Sequence, residues 1–188
     1  MPVIEVKYTQ LVFNPEVQKY CLNPKFKCPN YDQSWACPPA APYLEKELSR
    51  YKRFFLIYSE LNLEDYVEKE KVNHPKRSKE KILNRLFWKE NDRNDLEREI
   101  NNFLAEFPSD HEEKIVLWGG HCNLCEKRDD KQCSYPSGAE CQYPNEIRYS
   151  MEAIGINVDE TIKNLNLGLN LEWPPKKYIR RFGLVCFK

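Results

Sequence analysis

The sequence has no excess of charge of either sign and no long apolar run. Lys plus Arg and Asp plus Glu number 29 each, so the formal net charge is zero. A nucleic-acid-binding surface needs a basic excess on one face, and we therefore predict no nucleic-acid partner. The longest uninterrupted apolar run, residues 54–58, is far shorter than the roughly 20 residues that cross a bilayer. We accordingly predict no membrane span.

The start of the chain also lacks the features of a secretory signal. Acidic and basic residues are interleaved with apolar ones over residues 1–8, with no apolar stretch and no small-residue cleavage site. This pattern favours a cytoplasmic protein. Because 41% of the 188 residues are hydrophobic and 13% are aromatic, we expect one folded domain over residues 1–188.

Cysteine, by contrast, is abundant, with eight residues in the chain. In a reducing cytoplasm such thiols serve as metal ligands or redox groups more often than as disulfides. Three of them lie within residues 21–37 and four within residues 122–141, whereas Cys186 stands alone in an apolar run. We predict two cysteine-rich metal-binding loops, and a buried core thiol at Cys186.

The second group has the spacing of a metal site. It consists of Cys122, Cys125, Cys133 and Cys141. The tight turn between Cys122 and Cys125 can hold both sulfurs on one metal ion or on adjacent irons, and Gly119 and Gly120 before it allow the backbone to bend. Four thiolates suffice for a closed tetrahedral zinc site or for a 4Fe–4S cluster. His121 is expected to be a solvent-facing turn residue.

The first group consists of three cysteines, Cys21, Cys28 and Cys37. Pro29 and Pro38 directly follow two of them, as a proline follows the last ligand of bacterial ferredoxin motifs. Three thiols leave a site one ligand short. Either another residue completes the site, or one iron stays open to water or substrate, or the three cysteines form no site. Trp35, close to this group, is expected to shield the metal from water.

Apolar patterning predicts a mixed α+β fold. Strands are expected over residues 4–13, 53–61, 114–118 and 181–187. Helices are expected over residues 43–51, 79–107 (ending at Pro108), 145–153 and 157–165, the last capped by Asn157. The polar residues 89–95 interrupt the apolar stripe of residues 79–107, so this segment forms either one helix or two helices with a kink. The polar residues 62–77 are expected to have little regular structure. This order of elements predicts a small mixed β-sheet with helices packed on one side.

Four motifs resemble those of a known family, DUF2284, whose members are described as predicted metal-binding proteins. The motifs are CPNYDQSWACPP at residues 28–39, GHCNLC at 120–125, RYSMEAIGINV at 148–158 and FGLV at 182–185. The resemblance covers nearly the whole chain. It implies metal binding, with the seven cysteines between Cys21 and Cys141 as candidate ligands, and it implies no particular reaction. Members of this family are frequent in anaerobic microbes, which favours iron–sulfur over zinc.

The leading hypothesis is therefore an iron–sulfur protein, of the 4Fe–4S type, with an electron-transfer or redox-accessory role and a redox protein partner. The alternative is a zinc-stabilised structural or protein-interaction module without redox chemistry. A thiol redox enzyme that uses Cys122 and Cys125 is less favoured, because the motif lacks the strand–Cys-x-x-Cys–helix context of thioredoxin-like proteins. The sequence assigns no catalytic residue and no oligomeric state.

Overall fold

A four-stranded sheet forms the centre of the protein. The structure, a computed structural model, describes residues 2–24, 28–89, 91–107, 113–129, 131–169, 171–172 and 175–188. The strands are β1 (Val3–Val6), β2 (Arg53–Asn62), β3 (Lys114–Leu117) and β4 (Tyr178–Phe187). They lie in the order β1-β2-β4-β3, and all three pairings are antiparallel. The sequence predicted a mixed sheet, so this part of the prediction is wrong.

Both faces of β2 are buried, as its continuous apolar run suggests. Side chains alternate between the two faces of a strand, so Phe54 and Leu56 point to one side and Phe55 and Ile57 to the other. All four are at most 5% exposed. Each face of the sheet therefore requires its own covering layer.

Helices supply both layers. They are α1 (Glu45–Leu48), α2 (Leu63–Asn73), α3 (Lys79–Lys89), α4 (Asn91–Glu106), α5 (Leu124–Asp129) and α6 (Val158–Asn164). On one face, α4 packs Leu96 and Ile100 against the core that contains Phe55. On the other, Leu48 of α1 and Ile162 of α6 join the core that contains Phe54. The α+β class is confirmed, but the helices cover both faces rather than one, because β2 and β4 are apolar on both.

Two predicted segments near the start of the chain differ from the structure. The strand expected over residues 4–13 ends at Val6, and a 3₁₀ turn and then a 3₁₀ helix (Pro15–Leu22) follow it. Residues 62–77 contain the helix α2, whose cap Asn62 accepts a hydrogen bond from the Glu64 N–H at 2.9 Å. Only Leu63 and Val67 of α2 are buried, so the helix carries too few apolar side chains to produce a periodic signal.

The remaining helices agree with the sequence to different extents. Asn157 caps α6, since its side chain accepts a hydrogen bond from the Glu160 N–H at 3.2 Å. Residues 145–153 form two short 3₁₀ turns instead of a helix. The segment expected to be helical over residues 79–107 forms α3 and α4. Residue 90, between these helices, and Pro108, the expected end, lie outside the described residues. Within the described ranges, no helix is both long and apolar enough to cross a membrane.

Candidate metal centre

All eight cysteines are free thiols. Cys186 lies in β4 and is fully buried in the same core as Leu56 and Leu184, which confirms the prediction of a core thiol. Burial raises the pKa of the Cys186 thiol. This cysteine packs as a small hydrophobic side chain and is separate from the other seven.

The second cysteine group lies around one cavity. Its four members, Cys122, Cys125, Cys133 and Cys141, line a cavity of about 480 Å³. Strand β3 leads directly into the turn at Gly119 and Gly120, and Gly120 adopts a φ of 74°, a left-handed conformation that suits glycine. Helix α5 begins at Leu124, immediately after this turn, so Cys125 is in its first turn. The sheet and α5 thus position the Cys122–Cys125 pair, which lies between a strand and a helix, contrary to the expectation from the sequence.

Two thiols of this cavity, those of Cys125 and Cys141, have a raised pKa. Burial raises the pKa of Cys125, and the neighbouring thiols of Cys133, Cys122 and Cys141 raise it further. Burial also raises the pKa of Cys141, although a backbone hydrogen bond from Tyr143 partly offsets this. A metal bound here would have to displace these protons, which makes metal affinity depend on pH.

The first group adjoins the second. Cys21 lies in the 3₁₀ helix Pro15–Leu22, and its backbone carbonyl accepts a hydrogen bond from the Cys28 N–H at 3.0 Å. Burial and then the proximity of Cys28 raise the pKa of Cys21 to about 11. Burial likewise raises the pKa of Cys37 to about 12, and Cys28, Cys21, Cys122 and Cys133 add to this effect in that order. Cys37 therefore lies within electrostatic reach of both groups.

The segment that follows Cys28 covers part of the cavity. Residues 29–30 and 33–36 contribute to the cavity wall together with the second group. The ring of Trp35 meets that of Tyr135 edge to face at 4.9 Å, and its N–H donates to the Ala139 carbonyl at 3.2 Å. The Tyr135 hydroxyl in turn donates to the Asp32 carboxylate at 2.8 Å. These contacts fasten the first cysteine segment to the second, and they place Trp35 where it can shield a bound metal.

His121 is a half-buried link and not a solvent-facing residue. Its Nδ1 lies 3.2 Å from Asn30 Nδ2 and 3.4 Å from Arg93 Nη1. A guanidinium can only donate, so Nδ1 acts as the acceptor and the proton of the neutral ring sits on Nε2. The ring therefore joins the first cysteine segment to α4 directly beside Cys122.

Sequence reasoning did not identify an ion network beside the second group, whose members Arg93 and Glu97 are buried whereas Lys127 is exposed. The Glu97 carboxylate of α4 lies 2.5 Å from Lys127 Nζ, 3.1 Å from Arg148 Nη1 and 3.4 Å from Arg93 Nε. Arg93 and Glu97 are 2% and 8% exposed. Burial opposes ionisation of Glu97, but the hydrogen bond from Lys127 and the charges of Arg148, Lys127 and Arg93 outweigh it and lower the Glu97 pKa. The only sequence signal is the i,i+4 spacing of Arg93 and Glu97, which does not predict burial.

The donor set suits a metal bound by thiolates. In the part of the chain that the structure describes, no three His, Cys, Asp or Glu side chains converge as a single metal ion requires. Four thiolates on one zinc ion, each about 2.3 Å from the metal, would lie about 3.8 Å from one another. The four cysteines of the second group line the same cavity of about 480 Å³ without meeting this condition.

The fold and the site define a cysteine-rich α+β protein with seven free thiols in two adjoining groups. The chain belongs to the DUF2284 family, described as "Predicted metal-binding protein", and the family model matches residues 4–187. Comparison with the curated proteins and with the solved structures found no significant match. The family description and the cysteine content support metal binding and leave the type of metal undetermined.

Proposed function

We propose that the protein is a cytoplasmic iron–sulfur protein with an electron-transfer or redox-accessory role. Its 4Fe–4S cluster would be held by the second group, Cys122, Cys125, Cys133 and Cys141. The observation that carries the proposal is that these four cysteines line one cavity of about 480 Å³. Each cysteine of such a cluster binds a different iron, so the thiols must leave room for an inorganic core. When bound, the cluster would supply one-electron redox chemistry.

The first group would provide a second site next to this one. Cys21, Cys28 and Cys37 offer three thiolates, and the fourth position is open to water, to a substrate or to another residue. The Cys37 thiol lies within electrostatic reach of thiols in both groups, and residues 29–30 and 33–36 line the cavity of the second group, which supports a short path between the two sites. An electron carrier also needs a redox partner protein. Two exposed side chains that flank Cys21 offer apolar contacts for docking: Tyr20 is 59% exposed and Leu22 is 45% exposed.

A zinc-stabilised module is the second candidate, and one observation favours it. The chain from residue 131 to residue 147 contains only short 3₁₀ turns, although it carries both Cys133 and Cys141. A closed tetrahedral zinc site would contribute folding energy to a segment with so few backbone hydrogen bonds of its own.

Metal analysis of protein purified without oxygen distinguishes the two candidates. We expect iron, acid-labile sulfide and a broad visible absorption that bleaches on reduction. Colourless protein with stoichiometric zinc, unchanged after anaerobic treatment with iron and sulfide, would overturn the iron–sulfur proposal in favour of the zinc module.

A pair of cysteine variants tests which group holds the metal. Cys125→Ala should lose the metal and the visible absorption of the second group, because one of four ligands is removed. Cys186→Ala is the matched control and should retain both, since Cys186 lies in the core of the sheet. Unchanged metal content in Cys125→Ala would refute the assignment of the second group.

A further inference from the structure

The first cysteine group lies against a turn that carries a carboxylate. The 3₁₀ helix Pro15–Leu22, which contains Cys21, packs against the 3₁₀ turn Glu152–Ile154. The side chain of Gln18 fixes this contact, because its Nε2 donates a hydrogen bond to the Ala153 carbonyl at 2.8 Å. The cysteine helix is therefore held directly beside the first residue of that turn.

The helix also directs Cys21 towards the same turn. Side chains three residues apart are eclipsed in a 3₁₀ helix, so Cys21 projects on the same side as Gln18. Gln18 Nε2 also donates to the Ala41 carbonyl at 3.1 Å, and the Ala41 N–H donates to the Cys37 carbonyl at 3.0 Å. Since the Cys28 N–H donates to the Cys21 carbonyl, all three cysteines of the first group are connected to the chain around Gln18.

The carboxylate of Glu152 lies within electrostatic reach of this group. Burial and Cys28 raise the pKa of the Cys21 thiol, and the charge of Glu152 raises it further. Glu152 is exposed and opens into a second cavity of about 270 Å³, whose wall also includes Tyr20, the residue before Cys21. Its carboxylate therefore has room to turn towards the thiols.

Two other donors near the first group are held elsewhere. His121 uses Nδ1 as an acceptor towards Asn30, and the Asp32 carboxylate accepts a hydrogen bond from the Tyr135 hydroxyl at 2.8 Å. Both contacts belong to the segment that covers the cavity of the second group. Glu152 differs from them because it stands on the side of the cysteine helix that Gln18 fastens.

We propose that Glu152 is the fourth ligand of a metal centre in the first group, together with the thiolates of Cys21, Cys28 and Cys37. This inference rests on the proposed function and fills the position that three thiolates leave open. Among the described residues these donors do not converge on a single point, so metal binding must draw Glu152 towards the thiols. Oxygen is a harder ligand than thiolate and suits iron–sulfur clusters less well, so the iron on Glu152 is the one most easily lost.

Substitutions of Glu152 test the assignment on protein purified anaerobically with its metal. Glu152→Ala should lose about one iron per chain, and electron paramagnetic resonance of the oxidised protein should show a three-iron cluster. Glu152→Cys supplies a fourth thiolate, so it should keep all its iron and lose it to a chelator more slowly than the wild type. Asp159→Ala is the matched control and should resemble the wild type, because Asp159 lines the same cavity but pairs with Lys163 at 2.5 Å.

The cysteine variant separates a ligand from an ion-pair partner. The charge of Arg181 also acts on Glu152, and a residue that serves only this pair would not be replaced by cysteine. The inference is overturned if Glu152→Cys loses the same iron as Glu152→Ala, or if Glu152→Ala keeps all of it.

Failure of the inference can be distinguished from failure of the proposed function. A wild type with a single cluster that disappears in Cys125→Ala overturns the inference and leaves the function of the second group intact. Zinc in place of iron overturns the iron–sulfur proposal. The inference then requires that Glu152→Ala binds less zinc and that Glu152→Cys restores it, and unchanged zinc content in Glu152→Ala overturns it. A wild-type chain that binds no metal overturns both.

Discussion

Replacing Glu97 by glutamine is expected to destabilise the fold strongly, because Glu97 is the carboxylate that pairs with Arg93, Lys127 and Arg148 in what we call the ionic bracket. The side chain of Glu97 is 10% exposed and that of Arg93 3%, so solvent screens this pair poorly, whereas the Lys127 side chain is 42% exposed and its pair with Glu97 is screened more. Removing one partner of a buried ion pair costs about 3–5 kcal/mol, since the remaining charges stay buried without compensation. We therefore expect Glu97→Gln to lower the free energy of unfolding by about this amount at pH 7.

The pH dependence of this difference gives an independent check. The bracket lowers the pKa of Glu97 in the folded state, so the carboxylate contributes stability above its unfolded pKa of about 4.3. That contribution is lost as the pH falls through the lower, folded pKa. The stability gap between wild type and Glu97→Gln should therefore be constant above about pH 5 and narrow in more acidic solution.

Urea unfolding followed by circular dichroism measures the difference in free energy of unfolding between wild type and Glu97→Gln. Metal is first removed from both proteins so that the measurement compares only the ion network. Glu47→Gln is a suitable control, because Glu47 forms an exposed pair with Arg50 and its loss should cost less than about 0.5 kcal/mol. A Glu97→Gln protein as stable as the wild type at pH 7, or a gap that does not narrow in acid, would refute this account of the bracket.

Two further predictions concern the cysteine segments and the turn that precedes α6. Trp35→Ala should speed metal loss to a chelator several-fold, because it removes two of the contacts between the two cysteine segments, the Tyr135 ring contact and the hydrogen bond to Ala139. Trp35→Phe should retain most of the protection through the Tyr135 ring, and equal rates for all three proteins would contradict the shielding role. Gly155→Ala should destabilise the protein by about 2–4 kcal/mol, since φ is +96° there and a Cβ would overlap the ring of Tyr43. Gly138 has a φ of +72° with open space around it, so Gly138→Ala should cost only about 1 kcal/mol. Thermal unfolding measures both variants, and an equal loss of stability in the two would show that overlap with Tyr43 is unimportant.

The central strands could be predicted from the sequence because their signal is local. The consecutive apolar residues of β2 and β4 require burial on both faces wherever these strands lie, and Asn157 caps α6 through a contact only three residues away. Strand order could not be predicted, since antiparallel pairing of β2 with β4 joins residues more than a hundred positions apart.

The site was predictable in its ligand types but not in its arrangement. Cysteine spacing separated the two groups and set Cys186 apart, and the structure places Cys186 in the core. Nothing in the spacing indicates that Cys37 approaches Cys122 and Cys133, because that proximity arises where the segment after Cys28 folds over the cavity. The partners of Glu97 come from α5 and from Arg148, so they too appear only in the folded chain.

The iron, acid-labile sulfide and zinc content of anaerobically purified protein tests the central claim most directly. The account predicts iron and sulfide in nearly equal amounts, at least about four of each per chain, as one 4Fe–4S cluster requires. It also predicts that Cys125→Ala loses at least one cluster equivalent while Cys186→Ala loses none. Stoichiometric zinc without sulfide, or a wild-type chain free of metal, would contradict it.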